Sequence, residues 1–211
     1  MAIIESPVSD WGWDLVTKKI RGSSMKSSPT LLIRKIARLL LLVMITFTSI
    51  SAKGIEGKSA PDWPVDNWIN LPDGQEELSI SDYHGKVIYL FFFQSWCPGC
   101  HSSGFPSMLS AIDMFNNASD VAFVTVQTVF EGFEINSAAK AEETAKRYGL
   151  TIPVGHDPGP DNSGSVLMRH YRTGGTPWTV IIGKDGHVHF NEFHASTGPI
   201  CQLVDLLRRA A

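Results

Sequence analysis

Apolar and polar positions change period several times along this 211-residue chain, and each change predicts an element. The run Lys86–Phe93, "KVIYLFFF", is continuously apolar, β-branched and aromatic, which predicts a strand covered on both faces. Val121–Val129, "VAFVTVQTV", predicts a second buried strand. Between them, "PSMLSAIDMFNN" carries Met108, Leu109, Ile112 and Phe115 at helical spacing. "NSAAKAEETAKRYGL" predicts another helix, with Asn136 or Ser137 as its cap, Ala and Glu inside it and Gly149 as its stop. "HDPGPDNSGS" predicts a loop. "WTVIIG" and "HVHFNEF" flank "KDG" as a hairpin, and "GPICQLVDLLRRA" predicts a final helix with basic residues near its C-terminus. Upstream, Asp73-Gly74 in "NWINLPDGQEELSI" lies between two short extended runs and predicts a further hairpin. Residues 53–64, "KGIEGKSAPDWP", are rich in Gly, Ser and Pro and predict a linker. The order strand, helix, strand, helix, hairpin, helix predicts an α/β sandwich with a central mixed sheet flanked by helices, over residues 65–211.

The N-terminal region has a different pattern. Leu39–Ala52, "LLLLVMITFTSISA", follows Arg34, Lys35 and Arg38, the layout of a secretory signal peptide. It is shorter than the roughly 20 apolar residues a spanning helix needs. A cut after Ser51 places a small residue, Ser49, two positions earlier, whereas a cut after Ala52 places Ile50 there. Met25 begins "MKSSPTLLIRKIAR", a leader of ordinary length, so residues 1–24 are expected to be an upstream over-extension. Residues 25–52 are then a signal peptide or an uncleaved membrane anchor. Either reading puts the body outside the cytoplasm. The net charge of −3 also divides here, because the first 38 residues hold seven basic and three acidic side chains. Beyond the apolar run the chain holds 11 basic and 18 acidic residues, a balance that excludes nucleic acid as a natural partner.

Three cysteines are too few for a disulfide-stapled scaffold. Cys201 falls on the apolar face of the last helix and is expected to be a buried, inert thiol. Cys97 and Cys100 stand in "FFFQSWCPGCHSSGFP", where a buried strand gives way to a helix. Unpaired N–H groups and the positive end of the helix dipole stabilise an anion at that position. A thiolate there has its pKa lowered to roughly 3.5–7.5. Pro98 suits the first turn, since its missing N–H would have had no partner. Cys97 is therefore the expected nucleophile. Cys100, one turn on and deeper, is the expected resolving thiol that releases a mixed disulfide.

"GGTPWTVII" places Pro177 after two glycines and directly before a buried strand. With "HGKVIYLFFFQSWCPGC" and "GGTPWTVIIGKDGHV", the chain resembles the thioredoxin fold over about Ser59 to Arg209, and most resembles the TlpA/ResA-like redoxin branch of bacterial envelopes. The resemblance implies a thioredoxin-like sandwich that exchanges disulfides with protein thiols or disulfides in a periplasmic or other extracytoplasmic space. A membrane-borne electron donor is a further implied partner, and neither cofactor nor metal is implied. It also implies that Pro177 is cis and opposite the cysteines, that the Thr176 backbone holds an extended substrate segment, and that Trp96 contributes to substrate binding. There are departures from the pattern. Phe91 stands where thioredoxins carry a buried acid, and Ser103 where the branch often has a glutamate. The helix proline, Pro106, comes one residue late, and alignment on Phe105-Pro106 puts Gly104 at the glutamate's place. The usual proton acceptor for Cys100 is thus missing. The loop "TVFEGFE" leaves the second strand at the edge where Cys97 sits, so Glu131, and after it Glu134, is the expected substitute.

Three rival chemistries share these residues. Cys97, Cys100 and His101 make the CxxCH of covalent haem attachment, but here the motif ends a buried β run rather than sitting in a helical domain. His101 is instead expected to be an exposed helix residue that favours the Cys97 thiolate when charged. His187, His189 and His194, with the two cysteines, offer ligands for copper, as in redoxin-fold copper chaperones, whose cysteines are usually spaced more widely. A thiol peroxidase is the remaining alternative, although Leu90 and Gln94 occupy the positions where peroxiredoxins carry Pro and Thr or Ser.

Overall fold

The computed structural model describes residues 54–210, so the leader and its cleavage site lie outside the described residues. Six strands form one sheet: β1 (Asn67–Ile69), β2 (Val87–Phe93), β3 (Val121–Thr128), β4 (Val154–Asp157), β5 (Trp178–Ile182) and β6 (Val188–Phe193). Their spatial order is β1-β4-β3-β2-β5-β6. β2, β3 and β4 run parallel, while β5 pairs antiparallel with β2, β6 with β5, and β1 with β4. This is the expected mixed sheet, with β2 near its centre.

Every residue of β2 is buried, and alternation sends its side chains into two separate cores. Tyr89, Phe91 and Phe93 pack with Phe105 and Met108 of α1 (Phe105–Met114), Ala141 and Ala145 of α2 (Ala138–Arg147), and Ile200 and Val204 of α4 (Thr197–Arg209). Ile88, Leu90 and Phe92 pack with Leu167 and Tyr171 of α3 (Val166–Tyr171), with Trp178, and with Ile55, Trp63 and Val65. Cys201 is buried in the first core, as its position on the final helix implied.

Two sequence expectations change. Residues 53–64 do not behave as a linker from Gly54 onward. The Gly57 amide donates to Val188, Val188 to Lys58 and Ala60 to Gly186 at 2.8–2.9 Å, so this strap covers the outer edge of β6. Ile55 and Trp63 anchor it, because burying two large apolar side chains outweighs the local preference of Gly, Ser and Pro for loops. The Asp73-Gly74 turn does not close a hairpin either. Asn67–Ile69 pairs with β4 at the far edge of the sheet, and the second run becomes a 3-10 turn, Ile80–Tyr83, closed by a capping box between Ser79 and Asp82. Two short elements had too little periodic pattern to be anticipated, β4 and α3. The buried Asp157 carboxylate joins them: it accepts from the Ser165 hydroxyl at 2.6 Å and from the Leu167 and Val166 amides at 2.8 and 3.1 Å.

The second core contains one buried polar chain. Trp63 Nε1 donates to the Tyr171 hydroxyl at 2.9 Å, and that hydroxyl donates to the Pro61 carbonyl at 2.9 Å. Tyr171→Phe keeps the ring and removes both bonds, leaving the buried indole N–H without its acceptor. We expect a loss of about 1–3 kcal/mol in unfolding free energy by urea titration, with an unchanged fold by circular dichroism.

Candidate active site

β2 ends at Phe93, and four residues later the chain enters a helix. Cys97 and Cys100 are joined there as a disulfide. Cys97 is 5% exposed and Cys100 is fully buried, so the first sulfur is the one that solvent and a partner can reach. The Cys100 amide points at Cys97 Sγ from 3.1 Å, which is the helix-terminus donor that favours a thiolate on Cys97 once the pair is reduced. Opposite lies the Thr176 carbonyl, 3.5 Å from the same sulfur. The Thr176–Pro177 bond is cis. Cys97, Thr176 and Pro177 are thus brought together by the loop after β2 and the start of β5, and Trp96, 44% exposed, precedes Cys97 in that loop.

The helix begins irregularly. Cys100–Gly104 forms a π-helical turn before α1. Such a turn accommodates one extra residue, which is the physical reason that Pro106 arrives one position late. The missing acid is accounted for by packing. Phe91 is buried edge-to-face on Phe105, centroids 5.2 Å apart. A Cβ on Gly104 would lie 2.7 Å from Phe91 Cζ and 2.9 Å from Pro177 Cβ. Phe91, Gly104 and Pro177 therefore fit together only because position 104 has no side chain. Ser103 is exposed and donates back to the Gly99 carbonyl at 2.9 Å, so it does not replace a carboxylate.

His101 differs from its expected exposed role. It is half-buried, with Nε2 2.7 Å from the Ser95 carbonyl and Nδ1 2.8 Å from the Tyr148 hydroxyl. A carbonyl only accepts, so Nε2 carries the proton. In the neutral ring, Tyr148 then donates to Nδ1. The ring stacks on Phe105 and Tyr148, clamping the cysteine loop to the end of α2. Both ring nitrogens are engaged, which leaves none for an axial haem bond. Among the other histidines, His194 sits beside Gly99 and Pro177, whereas His187 and His189 lie at the opposite end of β6 on Asp185. These three histidines do not gather around the cysteines.

A polar cluster beneath the loop was not anticipated. The Ser95 amide donates to Asn136 Oδ1 at 2.8 Å and to Gln127 Oε1 at 3.2 Å, and its hydroxyl also binds Gln127 Oε1. Gln127 Nε2 donates to the Asn136 and Ser137 carbonyls at 2.8 and 3.0 Å and faces His156 Nδ1 at 2.9 Å. Asn136 Nδ2 lies 3.1 Å from both Gln94 Oε1 and the Glu131 carbonyl, and 3.2 Å from that of Gly132. Asn136 was one of two expected helix caps. Ser137 occupies the cap position, and Asn136 instead ties the Glu131 turn to the cysteine loop. The signal in the sequence was a glutamine inside a strand of otherwise apolar and β-branched residues. Glu131 and Glu134 are both exposed on this turn, and the carboxylate of Glu131 makes no hydrogen bond or ion pair among the described residues.

The chain is similar to known proteins over most of the described residues. The redoxin family profile matches residues 55–203. The thiol-disulfide oxidoreductase ResA of Geobacillus thermodenitrificans is 27% identical over 170 residues, covering 78% of this chain and 87% of that protein. A solved thioredoxin-like superfamily protein superposes with a TM-score of 0.66 at 29% identity, over 72% of this chain and 97% of its own. A thiol-disulfide isomerase from Corynebacterium glutamicum gives 0.61 at 25% identity, over 72% and 98%.

The polar cluster has a pH signature. Burial pushes the His156 pKa below 6.5, only partly offset by Asp157, and the Gln127 amide already occupies Nδ1 as donor. A lowered folded value means that stability is complete above the unfolded pKa near 6.5 and declines as pH falls from there through the folded value. We expect unfolding midpoints to decline more steeply between pH 7 and 5 in the wild type than in His156→Gln, measured by urea titration at each pH.

Proposed function

This chain belongs to the redoxin family and is a thiol–disulfide oxidoreductase, and from that premise we propose that it exchanges disulfides with exported protein substrates through Cys97 and Cys100. The observation that carries this reading is the asymmetry of the two sulfurs. Cys97 is reachable, faces an amide donor and lies beside the Thr176 carbonyl, while Cys100 is enclosed.

The reaction divides into two transfers. In the reduced enzyme, the Cys97 thiolate attacks one sulfur of a substrate disulfide, and the other substrate sulfur leaves as a thiolate. The Cys100 thiol then loses its proton and attacks Cys97 Sγ, which expels the first substrate sulfur and closes the Cys97–Cys100 disulfide. Run backward, the same steps oxidise a substrate dithiol. Thr176 and Pro177 hold the substrate segment against Cys97, and Trp96 supplies apolar contact beside it. Protein thiols or disulfides of the cell envelope are the partners, with a membrane-borne donor renewing the reduced pair. The extracytoplasmic location is supported by the basic-then-apolar leader. Among the described residues no helix is long and apolar enough to cross a membrane.

Cys100→Ser is expected to accumulate mixed disulfides on Cys97, and Cys97→Ser to accumulate none, read on non-reducing gels after thiol quenching. Equal trapping by both variants would overturn the assignment of roles.

Glu131 is the proposed acceptor for the Cys100 proton, because the acid positions of related proteins are filled by Phe91 and Ser103. Glu131→Gln is expected to slow release of substrate about tenfold or more and to leave the attack by Cys97 within about twofold. Stopped-flow measurement of the two phases separates them, and an unchanged release phase would return Glu131 to ordinary solvation.

A further inference from the structure

A shallow groove of about 450 Å³ lies between the loop after β3 and α3, lined among others by Phe130, Met168, Arg169, Arg172 and Thr173. Its elements meet at the edge of the sheet that carries Cys97. Phe130 is the second residue after β3, and the Ser165 amide at the start of α3 donates to the Val129 carbonyl at 2.7 Å. Thr173 is three residues before Thr176, a span of at most about 11 Å of chain, and the Thr176 carbonyl lies 3.5 Å from Cys97 Sγ.

The groove's chemistry is unlike that of the body around it. The body carries 18 acidic and 11 basic residues, yet no acid lines this groove and two arginines do. Arg169 Nη1 donates to the Gly164 carbonyl at 2.7 Å, which holds one guanidinium over the groove with donors to spare. The Arg172 side chain makes no ion pair or hydrogen bond among the described residues. Arg172 closes α3 in the left-handed conformation, φ +52, where glycine is the less strained choice. The Thr173 hydroxyl is shielded from solvent and has no hydrogen-bond partner among the described residues. Phe130, 40% exposed, adds an apolar wall.

We infer that this groove binds a carboxylate-bearing segment of the protein substrate, an acidic side chain about two to four residues from the cysteine that Cys97 attacks. The inference rests on the exchange activity proposed above and adds a preference among substrates. Two guanidinium groups supply charge-assisted donors in the fork geometry that suits a carboxylate, and Phe130 and Met168 pack the neighbouring substrate residue. The occupant is an extended peptide, because Thr173 of the groove stands three residues before Thr176, whose backbone is proposed above to hold one.

The test compares disulfide-bonded peptide pairs that carry Glu or Ala three residues from the attacked cysteine. In the wild type the kcat/KM ratio of Glu to Ala peptide should be about ten, and it should fall toward one in the Arg169→Ala/Arg172→Ala double variant and in high salt. A ratio of one in the wild type, or a ratio unchanged in the double variant, would overturn the inference. Fluorescence anisotropy with the same peptides bearing Ser for Cys reads the groove without any exchange. If neither peptide is turned over but the Glu form still binds about tenfold more tightly to wild type than to the double variant, the exchange reading fails and the groove stands. Charge-dependent binding to anionic lipid vesicles, lost in the double variant and without a peptide preference, would reassign the groove to a membrane surface and overturn it.

Discussion

A strand walled in on both faces cannot simply end in water. β2 supplies aromatic and aliphatic side chains to two cores at once, so the chain that leaves it still runs through buried space, where each backbone N–H and C=O must find a partner. Gln127 and Asn136 are completely buried at this point and take up that demand. Ser95 is the hub: its amide reaches both Gln127 and Asn136, and its carbonyl reaches His101. Two residues later stands Cys97. The precision with which a reactive sulfur is presented to solvent therefore depends on satisfying the backbone just upstream of it.

The same constraint separates the two cysteines. They are three residues apart and both border the core of Phe91, Phe93 and Phe105, yet one keeps a little exposure and faces an amide donor while the other is fully enclosed. Desolvation disfavours a charged sulfur in the second setting, and a fixed dipole favours it in the first. That difference in setting makes one thiol the attacker and the other the reserve, without any change in side-chain chemistry.

Much of this was legible in the sequence because it rests on continuous or periodic apolar runs. "KVIYLFFF", "VAFVTVQTV" and "WTVIIG" are strands as expected, and the cysteines and Pro177 meet where the resemblance placed them. The misreadings share a cause. The Gly- and Pro-rich strap at 54–64 has loop propensity, but Ile55 and Trp63 give it a buried place that composition does not reveal. β1 pairs with β4, whose residues lie far along the chain (Asn67 opposite His156), and no local pattern reports a partner at that distance. His101 reads as surface because it follows a motif that faces solvent. Its half-burial arises from Tyr148, contributed by the end of another helix. Polar clusters of this kind are assembled from distant positions, and only Gln127, out of place in an apolar strand, announced one.

The aromatic at position 91 and the π-helical turn are best understood together. A carboxylate at position 91 would lie among Phe93, Phe105 and Met108, where a charge without a partner is expensive, while a phenyl ring fills the space and stacks. Filling it requires the facing helix to present no side chain, and Gly104 does so within the one turn that carries an extra residue. Those changes close the route by which a buried acid beneath the pair would take a proton from Cys100. On the sheet side the second sulfur then meets aromatic carbon, while the loop after β3 is held to the cysteine loop through Asn136. This packing supports the proposed reading, in which the Cys100 proton leaves outward and a surface turn carries the resolving step in place of the core.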